Sequence, residues 1–212
     1  MSNYTTIYMV RHGETSANAT HTIQGQSDVP LNENGIFQAG LIAARLKFRA
    51  FAAIYSSDLS RAMVTAQKIA NGREVIADPE LREWHLGHWQ GMNIADVKAE
   101  FPEEYAAFHR DDPGAVIAGG ESSAEFLSRV SRVMEKLAAR HPGRDILCIT
   151  HGGFVSKALK YVMQYDAAPL PPCMDNTALF AFRTLDGKHW QLQCWNDTAH
   201  LENTALVDAS AL

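Results

Sequence analysis

The sequence predicts an α/β protein of three layers, αβα, built around a mostly parallel central sheet. Short apolar runs alternate along the chain with capped or amphipathic helical stretches, the order expected of a parallel sheet covered by helices. Two of these runs, Ile7-Tyr8-Met9-Val10 and Ile146-Leu147-Cys148-Ile149-Thr150, are apolar nearly throughout, as strands buried on both faces are. Each leads into a histidine and a glycine, His12-Gly13 and His151-Gly152. Open parallel sheets bind ligands at the carboxyl ends of their strands, so the two imidazoles are expected side by side over one crevice.

The elements follow in order. Beyond the first strand, residues 16–30 are polar, lack a sustained period and read as a loop leaving the crevice. Asn32 caps a helix that runs to about Phe48, with Phe37, Leu41, Ala44 and Phe48 on one face. Ala52-Ala53-Ile54-Tyr55 is a short strand. Ser56-Ser57-Asp58 then forms a capping cluster for a helix from about Leu59 to Ala70. Arg61 falls in the first turn of that helix, where a cation opposes the helix dipole; this points to an anion bound at the helix start. Asn71-Gly72 ends the helix, and Glu74-Val75-Ile76-Ala77 is another strand.

Between Leu81 and Gly91, Trp84, His85, His88 and Trp89 crowd around Glu83. Helices follow near Ile94–Phe101 and Glu103–Arg110, then a glycine-rich loop. The stretch from about Trp84 to Gly120 reads as a cap over the crevice. Ser122-Ser123-Ala124-Glu125 is a capping box, and the helix it opens ends near His141-Pro142-Gly143. The second His-Gly strand comes next, with a helix from about Gly153 to Met163. Pro169 to Pro172 breaks the chain. Thr177–Phe182 and His189–Trp195 read as a hairpin closed near Asp186-Gly187, whose edge would allow a homo-oligomer. The final residues are small and polar, as in a loose tail.

Composition bounds the function. The 212 residues fit a single domain over 1–212, and an apolar content of 46% with 20% charged residues is that of a globular chain. A net charge of -5 argues against non-specific nucleic-acid binding, so an anionic ligand must be met by local positive charge. The three cysteines, Cys148, Cys173 and Cys194, form no paired framework and read as structural thiols of a reducing compartment. No signal-peptide pattern opens the chain and no apolar run approaches membrane-spanning length, which predicts a cytoplasmic protein without a membrane partner. There is no H-E-x-x-H, no close Cys/His set, no G-x-x-x-x-G-K loop and no G-x-S-x-G elbow, so neither a metal nor a cofactor is expected.

The residues that remain suit phosphoryl transfer. Its transition state spreads negative charge over the equatorial oxygens, which fixed cations and amides stabilise. Arg11, Arg61 and His151 are the donors in reach, and the planar fork of arginine meets two phosphate oxygens at once. The amino end of the helix near Gly153 adds backbone donors. His12, at a strand end beside a cation, is the nucleophile of choice, because nearby positive charge depresses its pKa and frees a ring nitrogen. Glu83, set among tryptophans, is expected to have a raised pKa and to protonate the leaving oxygen, then to activate water.

These blocks resemble, in order, those of the histidine phosphatase superfamily, also called phosphoglycerate-mutase-like. Arg11-His12-Gly13-Glu14-Thr15 with Asn18 resembles the signature, and Ile23-Gln24-Gly25, Asp28, Pro30-Leu31, Gly35 and Gln38-Ala39 the second block. Ser56-Ser57-Asp58-Leu59, Arg61-Ala62 and Thr65-Ala66 resemble the third, and Leu81-Arg82-Glu83 with Gly87, Trp89 and Gly91 the acid-bearing one. Gly119-Gly120-Glu121-Ser122 and Thr150-His151-Gly152-Gly153 complete the set. The resemblance implies a phosphoglycerate-mutase-like fold and a metal-independent phosphomonoesterase acting on small phosphorylated metabolites. It implies that His12 is phosphorylated, that Arg11, Arg61 and His151 form the phosphate pocket with Gly152 beside them, that Glu83 is the proton donor, and that Asn18 and Gln24 touch phosphate. Many members carry a basic residue just before the Ile-Gln-Gly block, where this chain has Thr22 after His21.

A phosphoglycerate mutase would use the same phosphohistidine but return the phosphoryl group to substrate. The block Gly87-His88-Trp89-Gln90-Gly91 is similar to that of the family's phosphatases, which favours hydrolysis. A phospho-ligand binding or regulatory protein without turnover would be expected to lack the nucleophile or the acid, and both positions are filled. Phosphoglycerate, sugar phosphates, ribazole phosphate and a phosphorylated protein all stay open as substrates. His21, His85 and His88 are the nearby specificity candidates, whereas His109, Glu14 and Glu121 read as structural.

Overall fold

The pairing of strand β1 (Thr5–Arg11) with β4 (Asp145–Thr150) sets the geometry of the molecule. The two run parallel with Ile7 opposite Ile146 and Arg11 opposite Thr150, so His12 and His151 leave the sheet at the same level. The computed structural model describes residues 3–164 and 174–202. Within them β2 (Ile54–Ser56) pairs in parallel with β4, and β3 (Ile76–Ala77) with β2. On the other flank β5 (Leu179–Thr184) runs antiparallel to β1 and to β6 (Trp190–Asp197). The order is β3-β2-β4-β1-β5-β6, mostly parallel with the hairpin as its antiparallel flank.

Alternation along β1 builds the layers, since successive side chains point to opposite faces. Ile7 and Met9 meet Phe126, Val130 and Met134 of α6 (Ser123–Arg140) and Phe154 of α7 (Gly152–Met163). Tyr8 and Val10 meet Ile42 and Leu46 of α2 (Glu33–Leu46) and Ala66 and Ile69 of α3 (Ser60–Ala70). A smaller apolar cluster of Trp89, Val97 and Ile117 takes in Tyr105 and Phe108, joining α4 (Ile94–Glu100) to α5 (Pro102–His109). The loop after α5 is tied to α7 by Asp111, which pairs with Lys157 and Lys160.

The helix ends are set by specific side chains. Asn32 accepts from the Gly35 N–H at 2.8 Å, and Ser122 with Glu125 closes the predicted capping box of α6. At α3 the expected Ser56-Ser57-Asp58 cap does not form. Leu59 holds the cap position without a side-chain bond, and the Ser60 N–H instead donates to Asp28 Oδ1 at 2.8 Å, from another segment. The physical reason is prior engagement: Ser57 Oγ bonds His151 and takes only the Leu59 N–H, at 3.4 Å, and Asp58 accepts from Nε and Nη2 of Arg82.

Other expectations need correction. The loop predicted over 16–30 contains a short helix, α1 (Ser16–Ala19), held by a capping box between Thr15 and Asn18. The buried face of α2 is Gly35, Ala39, Leu41, Ile42 and Leu46, whereas Phe37 is exposed and Phe48 lies beyond the helix end, 92% exposed. Glycine and alanine face inward because the start of α2 packs directly on backbone: a Cβ on Gly35 would overlap Glu14 O. Cys148 and Cys194 are free thiols, the first buried and the second half-buried. Pro169 to Pro172, Cys173 and most of the predicted tail lie outside the described residues. Among the described residues no helix is long and apolar enough to cross a membrane.

Candidate active site

The ends of β1 and β4 bring the rings of His12 and His151 together, 5.1 Å between centroids and inclined at 60°. Both side chains are buried. His12 Nδ1 lies 2.7 Å from Gly13 O, and a carbonyl oxygen only accepts. Nδ1 therefore carries the proton, and Nε2 of the neutral ring holds the free lone pair. Burial holds the His12 pKa well below its ordinary value, with Arg11 and Arg61 adding to the effect. Desolvation is the larger cause, ahead of the neighbouring cations to which the sequence points.

His151 is held down in the same way, by burial first and then by Arg61, His12 and Arg11. Its Nε2 is 2.8 Å from Ser57 Oγ. Arg61, 1% exposed, donates to Ser27 O and Gly25 O at 2.7 Å each, and burial pushes its pKa down to about 10. Its place in the first turn of α3 is thus answered partly by carbonyls that it fixes. Arg11 donates through Nη1 to Met174 O. Arg11 Nε, Arg61 Nε and His151 Nδ1 are all buried without a hydrogen-bond partner among the described residues. Buried polar atoms are rarely left so, and these three belong to the two cations that act on the His12 ring and to the imidazole that touches it.

Glu83 stands across the cleft. Its oxygens accept from the Trp84 N–H at 2.9 Å and from the Gly153 N–H, in the first turn of α7, at 3.0 Å. Asn18 and Gln24 also face the cleft, with their carboxamide oxygens turned to Thr15 Oγ1 at 3.1 and 3.0 Å. The cleft has a volume of about 310 Å³ and is lined by Arg11, His12, Asn18, Gln24, Arg61 and Glu83 at its polar end. His151 and Gly152 do not line it: His151 backs His12, and Gly152 lies beside Arg11. Of the histidines, His109 reaches the cleft wall and His21, His85 and His88 do not, the reverse of the sequence expectation. Among the described residues no group of three His, Cys, Asp or Glu side chains is placed to hold a metal ion.

The profile of the histidine phosphatase superfamily (branch 1) matches residues 7–198. The chain belongs to that superfamily. This histidine phosphatase is 39% identical over 212 residues to phosphoglycerate mutase-like protein 4 of Arabidopsis thaliana, covering 98% of this chain and 91% of the relative. It is 36% identical to the metal-independent phosphoserine phosphatase of the same plant, covering 97% and 87%. A solved mycobacterial glucosyl-3-phosphoglycerate phosphatase, in complex with VO3, superposes with a TM-score of 0.81 at 33% identity, covering 91% of this chain and 99% of that one. Family and phosphatase relatives together make the protein an enzyme that hydrolyses phosphomonoesters.

Several residues that organise the site carry no signal of their own in the sequence. Arg129, in the middle of α6, donates to Glu121 through Nε and Nη2 at 2.8 Å each and to the carbonyls of Glu80, Arg82 and Glu83. Glu121 in turn accepts at its carbonyl from Trp84 Nε1, 2.7 Å away. Thr65 accepts from the Gly13 N–H at 3.1 Å, tying α3 to the turn after β1. Asn176 donates to His12 O at 2.9 Å. These contacts cross long stretches of chain and have no local spacing to betray them; only Thr65 and Glu121 fall in blocks that the family resemblance marks.

Proposed function

We propose that this histidine phosphatase transfers the phosphoryl group of a small phosphomonoester first to His12 and then to water, without a metal ion. The observation that supports it most is the free lone pair of His12 Nε2 beside buried, unpartnered donors of Arg11, Arg61 and His151. Nε2 attacks phosphorus, and the bond to the ester oxygen breaks. The Glu83 carboxyl gives its proton to that oxygen, and the alcohol leaves. The Glu83 carboxylate then takes a proton from water, whose oxygen attacks phosphorus, and inorganic phosphate departs from a restored imidazole.

The guanidinium groups hold the equatorial oxygens, and His151 supplies a further N–H when Ser57 donates to its Nε2. Asn18 and Gln24 have their amide nitrogens to offer. The chain acts as one domain, 1–212, with residues 84–120 as a cap that closes one wall of the cleft. Substrates are small phosphorylated metabolites.

The test is a rapid acid-free quench with radiolabelled phosphomonoester in EDTA. The wild type is expected to carry a base-stable, acid-labile label and to release phosphate, and His12→Ala to do neither. Full hydrolysis by His12→Ala overturns the nucleophile. Interconversion of phosphoglycerates with no phosphate released overturns hydrolysis.

A further inference from the structure

The far wall of the cleft indicates what the phosphate is attached to. Beyond the polar end the lining is mostly apolar or aromatic, with Ile23, Leu86, Trp89, Ile94, Tyr105 and Phe108 as its main surface and Thr22 and His109 as polar members. Trp89 and Phe108 meet edge to face, 5.5 Å between ring centroids, and Tyr105 stands 6.3 Å from Trp89. Such a surface takes an apolar or aromatic body well, and its polar atoms, Trp89 Nε1 among them, are neutral.

A second anionic group on the substrate is held most strongly by a cation. Among the described lining residues the only lysines or arginines are Arg11 and Arg61, both at the His12 end. Lys98 is exposed outside the lining and sits over the Tyr105 ring, 5.2 Å from its centroid. His109 is the remaining basic side chain of the wall, and burial together with Lys98 lowers its pKa, which keeps it neutral at pH 7. The stretches outside the described residues, 1–2, 165–173 and 203–212, contain no Lys, Arg or His, so they add no basic side chain wherever they lie. Among the described lining residues the one other ionisable acid is Glu83, which repels an anion when ionised.

We infer that the enzyme selects phosphomonoesters of uncharged apolar or aromatic alcohols and discriminates against esters that carry a carboxylate. This rests on the assignment of the His12 end to phosphate. A cleft of about 310 Å³ is at the small end of ligand sites, which suits a compact alcohol of one or two rings. The preference sets this chain apart, in chemistry, from the named substrates of its phosphoserine and phosphoglycerate relatives.

The experiment compares kcat/KM for 2-phenylethyl phosphate, O-phosphoserine and 3-phosphoglycerate, all esters of primary alcohols, with p-nitrophenyl phosphate as the reference for turnover. The arylalkyl ester is expected to lead the carboxylated ones by about tenfold or more. Phe108→Ala should erode that lead through KM. Ile94→Arg, a change at a partly exposed position, should raise kcat/KM for 3-phosphoglycerate and lower it for the arylalkyl ester. Carboxylated esters turned over as well as or better than 2-phenylethyl phosphate overturn the inference and leave the hydrolytic reading intact. Absence of phosphate release from all the esters, the reference included, overturns both.

Discussion

Gly153 shows how closely the Glu83 carboxyl group, the proposed acid, is held. A methyl group placed on it would collide with Glu83 Oε1, whereas one on Gly152 would stop 3.6 Å from Arg11 Nε, an ordinary contact. Two neighbouring glycines of the same helix turn should therefore behave differently. Gly153→Ala is expected to displace the carboxylate and lower kcat by roughly 10²–10⁴-fold, the worth of a positioned general acid, with a small change in stability. Gly152→Ala should stay within a few-fold of wild type. Equal kcat for the two variants would remove Glu83 from the reacting geometry. At this scale the sequence points to several residues that the fold brings into one cleft. His12, Arg11 and Arg61 stand where a strand ends or a helix begins, and a charge in such a place needs a reason. His109 was not legible, because its access to the cleft depends on how α5 packs and on nothing in its own neighbourhood.

Arg129 belongs to the scale of elements. It clamps α6 to the carbonyls of Glu80, Arg82 and Glu83, and its pairing with Glu121 is mostly buried, with side-chain exposures of 12% and 18%. Arg129→Met removes one partner of a buried pair and leaves those carbonyls without their donor. It should cost about 3–5 kcal/mol in denaturant unfolding and lower kcat more than it changes KM, since it loosens the backbone that carries Glu83. Stability within experimental error of wild type would show the clamp to be idle. Helix existence was readable here from caps such as Asn32 and Ser122, which act over a single turn. Which face goes inward was less so. In α2 the large Phe37 looked like core, but burial is a one-way rule: apolar residues fill the core without every apolar residue entering it. Gly35 and Ala39 won that face because their small size lets α2 lie on the turn after β1.

For the whole molecule, buried neutral histidines make folding depend on acidity. His12 and His151 are held well below the ordinary histidine value, and His200 is held to about 4 by burial with Arg45 beside it. Above about pH 6.5 these rings are neutral in folded and unfolded chains alike, so they favour neither. Below it the unfolded chain takes up protons that the folded one refuses, and stability falls, by up to about 1.4 kcal/mol per pH unit for each ring. Denaturation midpoints should therefore start to drop near pH 6.5, before carboxylates such as Asp58 and Asp111 lose the advantage of their own lowered values. Midpoints that stay level from pH 7.5 to 5 would refute this. The sheet itself was the most readable feature, because β1 and β4 are apolar on both faces and only a covered parallel strand tolerates that. The position of Asp28 over the start of α3 was not, since it is decided only once the chain has closed.

The register that sets Arg11 opposite Thr150 has a consequence for synthesis. His12 leaves the ribosome well before His151, which lies 139 residues later in the chain. Until then the opening strand has neither of its flanking neighbours, because both β4 and β5 are encoded later. On the mechanism proposed above, a nascent chain released before β4 holds His12 without the strand that brings His151 beside it, and is expected not to cleave an ester.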